Sequence, residues 1–292
     1  MKIYLIDGTY ELFRAYYALP SLVAPDGREV AAVRGLAQTL LALLRQDGVT
    51  HIACAFDHVI ESFRNGLFAG YKTSVGVPED LLGQFELAER AVFSLGIVVW
   101  PMVEFEADDA IATAAARWWD ATGVEQVIMC SPDKDLAQMV RDDRVVVLDR
   151  RRNLVLDEAG VIEKFGVAPE SIPDYLALVG DPADGIPGIP RWGAKTAAAV
   201  LRRYGHIEQV PVDPSQWDIE VRGAKAITTS LTEHYEEALL YKKLATLRLD
   251  APILETLDQL EWRGVRREEF HSLCQELGFS RLLELAHRWA DV

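Results

Sequence analysis

The sequence predicts an α/β fold, a parallel sheet with interleaved helices, followed by a mostly helical region. Three observations carry this. Short Val- and Ile-rich runs alternate with longer amphipathic runs through the first half, the pattern of a parallel sheet with crossover helices. The strand signals fade after about residue 160. Proline and glycine then cluster at 181–193, and two more prolines fall at 211–215, between helix-like runs.

The expected strands, in order, are Lys2–Ile6, His51–Phe56, Gly96–Trp100, Gln126–Cys130 and Arg144–Leu148. Each is short, branched and bounded by polar or turn residues. Helices are expected at Ala32–Leu44, Asp80–Leu95 and Ala107–Trp119, where apolar residues recur at helical spacing. Further helices are expected at Pro169–Leu178, Ala194–Tyr204, Glu233–Leu247 and Arg267–Leu277. This divides the 292 residues into an α/β domain over 1–165 and a helical domain over 166–292. Residues 60–85 carry Gly66, Gly70, Gly76 and Pro78 and read as a long connection over the rim of the sheet.

Half the residues are hydrophobic, enough for a sizeable core, yet no apolar run is long enough to cross a bilayer. Asp7, Glu11 and Arg14 break up the N-terminus, which excludes a signal peptide there. Cys54, Cys130 and Cys274 are few and scattered, which favours a reducing compartment over a disulfide framework. A net charge of −15 argues against nucleic acid unless the acids are gathered in one place, since net charge says nothing of where charges lie.

The acids are indeed not scattered. Asp7 ends the first strand and Asp57 the second. The third is followed by Glu104 and then by Glu106, Asp108 and Asp109 at the start of a helix, and the fourth by Asp133 and Asp135. Ligands of open α/β sheets bind beyond the carboxyl ends of the strands. Each acid also has an ordinary use, as a helix cap or as a complement to a helix dipole. Converging carboxylates about 5 Å apart repel by about 3 kcal/mol per pair at an effective dielectric near 20. Hard divalent cations, which prefer oxygen ligands, would compensate this. No His or Cys stands at zinc spacing near these acids. Two Mg²⁺ ions, with Mn²⁺ able to substitute, would suit phosphodiester chemistry.

Gly180 to Gly188 adds Asp181 and Asp184. Gly-Asp here is similar to a late motif of haloacid dehalogenase phosphatases, but Leu5 stands where that chemistry needs its nucleophilic aspartate. The stretch Ile189 to Ala197 reads instead as a turn feeding a helix, with Gly193 permitting close backbone approach and Lys195, Arg202 and Arg203 adding charge. A phosphate suits such a helix start.

Taken together, LIDG, AFD, FRNGLFAGYK, EADDAIAT, SPDKDLAQ, ALVGDPADGIPGIPRWGAKTA and RGAK appear in one order and spacing. In these the chain resembles the 5′→3′ exonuclease domain of bacterial DNA polymerase I and the flap endonucleases, almost end to end. The resemblance implies a PIN-like nuclease core and a helix-three-turn-helix DNA-binding motif at about 180–205, often holding K⁺. It implies a helical arch at about 63–85. By the same resemblance Asp7, Asp57, Glu106, Asp108 and Asp109 surround one metal ion, and Asp133, Asp135, Asp181 and Asp184 another. Lys72 and Arg64 would stabilise charge on the scissile phosphate, with Asp57, Asp108 and Asp133 central to catalysis. Arg14, Tyr71, Gly188, Arg191, Gly193, Lys195, Thr196 and Arg202 would meet DNA. Arg150, Arg151 and Arg152, with Arg203, Arg222 and Lys225, are further basic residues for the DNA path.

The implied function is a structure-specific 5′ nuclease on flaps, nicks and gapped duplex ends, with RNA–DNA junctions as further substrates. It would act as a monomer in replication or repair in a bacterial cytoplasm. The alternatives are a DNA-junction binding protein with weak or no catalysis, and a PIN-type ribonuclease, which usually lacks the 180–197 hairpin. Three departures stand out. Val75 replaces a usual arch arginine, Ala183-Asp184-Gly185 stands where relatives have Ser-Asp-Asn, and Arg191 replaces a usual glycine.

Overall fold

The computed structural model describes residues 1–290. In chain order its strands and α-helices are β1 (Lys2–Asp7), α1 (Gly8–Ala18), α2 (Ala31–Leu44), β2 (Val49–Asp57), α3 (Phe63–Leu67), α4 (Glu79–Leu82), α5 (Phe85–Ser94), β3 (Val98–Met102), α6 (Ala107–Trp118) and β4 (Gln126–Cys130). There follow β5 (Val145–Asp149), β6 (Leu154–Leu156), α7 (Glu158–Phe165), α8 (Ile172–Val179), α9 (Ala194–Tyr204), α10 (Ala224–Glu233), α11 (Tyr235–Ala245), α12 (Arg267–Leu277) and α13 (Ser280–Leu283).

The chain forms two compact units. The first comprises 1–60, 74–131 and, of the described residues, 249–290, the second 61–73 and 132–248. In the first, four parallel strands run in the order β3-β2-β1-β4. From Ile3 onward β1 is buried, as a central parallel strand covered on both faces should be. Asp7 pairs in register with Ala55, two residues before Asp57, so both acids end their strands at the same edge. Pro101 lies in β3, at the edge of these four strands, the position in a sheet that tolerates proline.

The run Asp80–Leu95, expected as one helix, is two. α4 ends at Gly83 and α5 starts at Phe85. The break has a use: Gln84, fully buried between them, accepts the N–H groups of Ala32 and Val33 at 3.1 and 3.2 Å. Those are orphan donors at the start of α2, whose own N-cap residue, Val30, makes no side-chain cap. Four further helices, α1, α7, α10 and the short α13, and the short strand β6 lie outside the elements expected from the sequence. α7 had legible ends, an Asp157 N-cap and Gly166 at φ +77°.

The C-terminal stretch does not join the helical region as the linear division had it. Residues 249–290 belong to the first unit, where Trp262 donates its indole N–H to the Leu95 carbonyl at 2.8 Å and α12 packs on α5. The expected arch is divided likewise, 63–73 falling with the second unit and 74–85 with the first. In the second unit β5 and β6 form an antiparallel hairpin. There Asp174, fully buried on α8, holds His206, the Ile207 N–H and Lys242 at 2.8–2.9 Å and so ties α8 to α11 and to the end of α9.

Gly8 opens α1 directly behind Asp7. A Cβ there would lie 2.5 Å from the Phe56 ring and 2.7 Å from the Cys54 sulfur. Gly8→Ala is therefore expected to destabilise the fold by about 1–3 kcal/mol, read as a lower denaturation midpoint at unchanged slope.

Candidate active site

In the first unit the strand-end acids are tied to helix starts. One oxygen of Asp7 accepts the Tyr10 N–H at 2.8 Å, capping α1, and the other accepts the Ser131 hydroxyl at 2.8 Å. Asp57 accepts the Ala107 N–H at 2.8 Å, and its own N–H donates to the Thr9 hydroxyl at 2.8 Å. Glu106 and Asp109 form a reciprocal capping box at the start of α6, and both are buried. The carboxylates that the resemblance assigns to a metal thus also serve as caps, and both uses need a negative group at a helix N-terminus. Asp108, on the first turn of α6, is half-buried.

The second unit gathers its acids more tightly. Carboxylate oxygens of Asp135, Asp181 and Asp184, all buried, lie within 4.8 Å of one another, the one such set of three among the described residues. Asp133 sits beside them and accepts the Asp135 N–H at 2.9 Å. Burial, and then the charges of Asp133, Asp184 and Asp181, push the Asp135 carboxyl well above the usual range. Burial raises Asp133 too, against the pull of the Asp135 N–H and Lys72. Two lysines offset part of the charge: Lys134 Nζ lies 2.8 Å from Asp181 and Lys72 Nζ 3.1 Å from Asp184. Oδ1 of Asp135 is buried without a hydrogen-bond partner. An all-oxygen set with one unsatisfied buried oxygen fits a hard divalent cation.

Glycines set this geometry. Gly185, at φ +76°, brings its backbone so close to Gly70 that a Cβ would lie 2.1 Å from the Gly70 carbonyl. The Lys72 N–H donates to the Asp184 carbonyl at 3.1 Å across the same contact. Gly185, one of the departures noted above, is thus the residue that lets the Lys72 segment lie against the acids.

Several expected residues are placed otherwise than anticipated. Arg64 does not face outward as an expected phosphate-stabilising group. It is 1% exposed and donates to the carbonyls of Leu244 at 2.8 Å and Thr246 at 3.1 Å, at the end of α11. Tyr71 is buried as well. Arg14 pairs with the buried Glu11, and Arg203 with Asp218. Lys134 stands within SPDKDLAQ, and only the fold shows its contact with Asp181. The turn before α9 keeps Arg191, Gly193, Lys195 and Arg202 exposed, with Gly188 and Thr196 half-buried. Trp192 anchors it, donating to the Ile227 carbonyl at 3.3 Å. Arg191 has φ +72°, a left-handed backbone that favours glycine.

Parallel strands ending in acids, and a buried all-oxygen cluster beside a glycine-turned helix pair, define the class: an α/β protein suited to a hard divalent cation. The comparisons make it specific. The family models for the 5′-3′ exonuclease N-terminal resolvase-like domain and C-terminal SAM fold match residues 2–166 and 167–268. The chain belongs to this 5′-3′ exonuclease family. It is 36% identical over 289 residues to DNA polymerase I of Pseudomonas aeruginosa, covering 96% of this chain and 31% of the relative. It is 37% identical over 287 residues to DNA polymerase I of Bacillus caldotenax, covering 97% and 32%. The chain thus spans about a third of the length of these curated relatives. Among solved structures it is similar to T5 5′-exonuclease with bound zinc, at TM-score 0.68 and 17% identity, covering 94% of this chain and 99% of that one. It is also similar to the catalytic core of Rad2 in complex with DNA substrate, at TM-score 0.59 and 15% identity, covering 97% and 92%. Both likenesses establish the shared fold. No described helix is long and apolar enough to cross a membrane.

Two outcomes follow from these contacts. The native state keeps a proton on Asp135 at pH values where the unfolded chain has released it, so this group's contribution falls as pH rises from about 4. Asp135→Asn is expected to raise the cation-free melting temperature by about 2–6 °C, with the gap wider at about pH 8 than at about pH 5, by calorimetry in EDTA. Arg191→Gly is expected to stabilise by about 0.5–1 kcal/mol in urea titration, by removing the left-handed penalty.

Proposed function

We propose that this chain is a structure-specific 5′ nuclease that hydrolyses DNA phosphodiesters with divalent cations. The observation that carries the reading is the buried set Asp135, Asp181 and Asp184, with its unsatisfied Asp135 oxygen, in a chain of the 5′-3′ exonuclease family. Asp133 with these three would hold one Mg²⁺ or Mn²⁺. Asp7, Asp57, Glu106, Asp108 and Asp109 would hold a second. When bound, such ions supply Lewis-acid charge for attack on a phosphodiester and for the leaving oxygen.

The protein's own groups do the rest. Asp57 and Asp7, fixed by backbone N–H groups and by Ser131, keep their oxygens in place without reorganising. Lys72, held beside Asp184 by the Gly185 contact, brings a positive charge to the scissile phosphate. Arg64 fixes the segment that carries Lys72 and does not itself meet the phosphate. The exposed start of α9, with Gly193, Lys195 and Thr196, receives a backbone phosphate of duplex DNA, flanked by Arg191 and Arg202. Gly188 shapes this turn, and a K⁺ ion belongs to this part of the reading. Arg14, part exposed beside Glu11, completes the DNA contacts, while the buried Tyr71 ring lies under the Lys72 ammonium. The α/β portion to residue 165 would carry most of the chemistry, joined by Asp181 and Asp184 from the helical portion after it, which would also carry the DNA grip. Substrates are 5′ flaps, nicks and gapped ends, including RNA–DNA junctions, met by a monomer in the bacterial cytoplasm during replication or repair.

The test is cleavage of a 5′-labelled flap duplex with Mg²⁺, Mn²⁺ or EDTA. Cation-dependent cleavage near the junction is expected, reduced at least about a hundredfold in Asp57→Ala and slowed in Lys72→Ala with duplex binding retained. Tight junction binding with no cleavage under either metal would replace this reading with that of a junction-binding protein.

A further inference from the structure

Beside the second carboxylate cluster stands a lysine to which the proposed reaction gives no task. Lys134 lies between Asp133 and Asp135 in sequence, and its ammonium reaches Asp181 at 2.8 Å. The two partners differ in setting. The Asp181 side chain is 3% exposed and that of Lys134 32%. The acid is therefore fixed, while the lysine reaches in from solvent.

We propose that Lys134 is the resident counter-cation of this cluster: its ammonium holds Asp181 while no divalent ion is bound, and yields when one enters. The proposal rests on the cluster being the cation site described above. Asp181 is doubly anchored without the lysine. Its oxygen accepts the Ala183 N–H at 3.0 Å, and its backbone exchanges two 2.8 Å hydrogen bonds with Ile186. Removing Lys134 thus leaves the carboxylate in place but uncompensated. A lysine suits exchange better than an arginine would. Its ammonium is a compact, strongly hydrated point charge on a flexible stem, with no planar fork to lock on the carboxylate. The ammonium meets one of these carboxylates, whereas a divalent ion meets three buried oxygens at once. Lys134 therefore sets cation affinity by competition, and once displaced it is a free positive charge at the cluster's edge.

The experiment measures Mn²⁺ uptake by the full chain, from the electron paramagnetic resonance signal of unbound Mn²⁺, in the native protein, Lys134→Met and Lys134→Arg. Cation-free melting temperature in EDTA is measured alongside. Lys134→Met is expected to bind Mn²⁺ about tenfold more tightly, a gain of about 1.4 kcal/mol, and to melt lower in EDTA. Lys134→Arg keeps the charge, so its affinity is expected to stay equal to or weaker than native. Where Lys134→Met does not fold, Lys134→Gln carries the same test. Unchanged or weaker Mn²⁺ binding in the neutral variants, with native uptake intact, overturns the proposal alone. Absence of Mn²⁺ uptake by the native protein overturns the cation-site reading and the proposal with it.

Discussion

Repulsion among buried carboxylates is the constraint on which the rest of this structure depends. Three acids with oxygens within 4.8 Å of one another, and a fourth beside them, would drive the second unit apart unless each charge were answered. The answers are local and particular. Asp181 has Lys134 and the Ala183 N–H, Asp184 has Lys72, and Asp133 has the Asp135 N–H. Asp135 has the least, and its raised carboxyl shows the shortfall. A site in this state favours whatever brings more positive charge, which fits a hard divalent cation.

The first unit meets the same problem by another route. Asp7, Asp57, Glu106 and Asp109 each accept a backbone N–H at the start of a helix, so α1 and α6 supply the compensation that lysines supply elsewhere. Capping and cation binding do not compete here. A carboxylate has several lone pairs, and one N–H bond leaves others available while fixing the direction in which they point. The charge of a carboxylate at a strand end is met by a helix start: that of α1, directly after β1, for Asp7, and that of α6, 50 residues on, for Asp57.

Backbone freedom decides how closely the parts approach. Gly185 allows the Lys72 segment to lie against Asp184, and Gly8 lets α1 begin against Phe56. Where a side chain occupies such a position, as Arg191 does at φ +72°, the turn persists because its neighbour Trp192 is buried and bonded. The exposed charge of Arg191 on the turn before α9 is then gained at a conformational cost.

The sequence by itself determined much of this protein. Short continuous apolar runs marked the four parallel strands and period 3.6 most of the helices between them, because burial on both faces or on one face imposes those patterns. The strand-end acids were legible because a carboxylate that stops an apolar run is conspicuous. The tertiary structure alone decided the rest. That Gln84 breaks a helix in order to cap α2 is set by a neighbour fifty residues away in the chain. That Arg64 is spent on the Leu244 and Thr246 carbonyls, and that residues 249–290 return to the first unit, are likewise contacts between distant positions. So is the pairing of Lys134 with Asp181. Periodicity reports which face of an element is buried, but not against what, and charge identity reports sign, but not distance. Those are fixed only when the chain closes on itself.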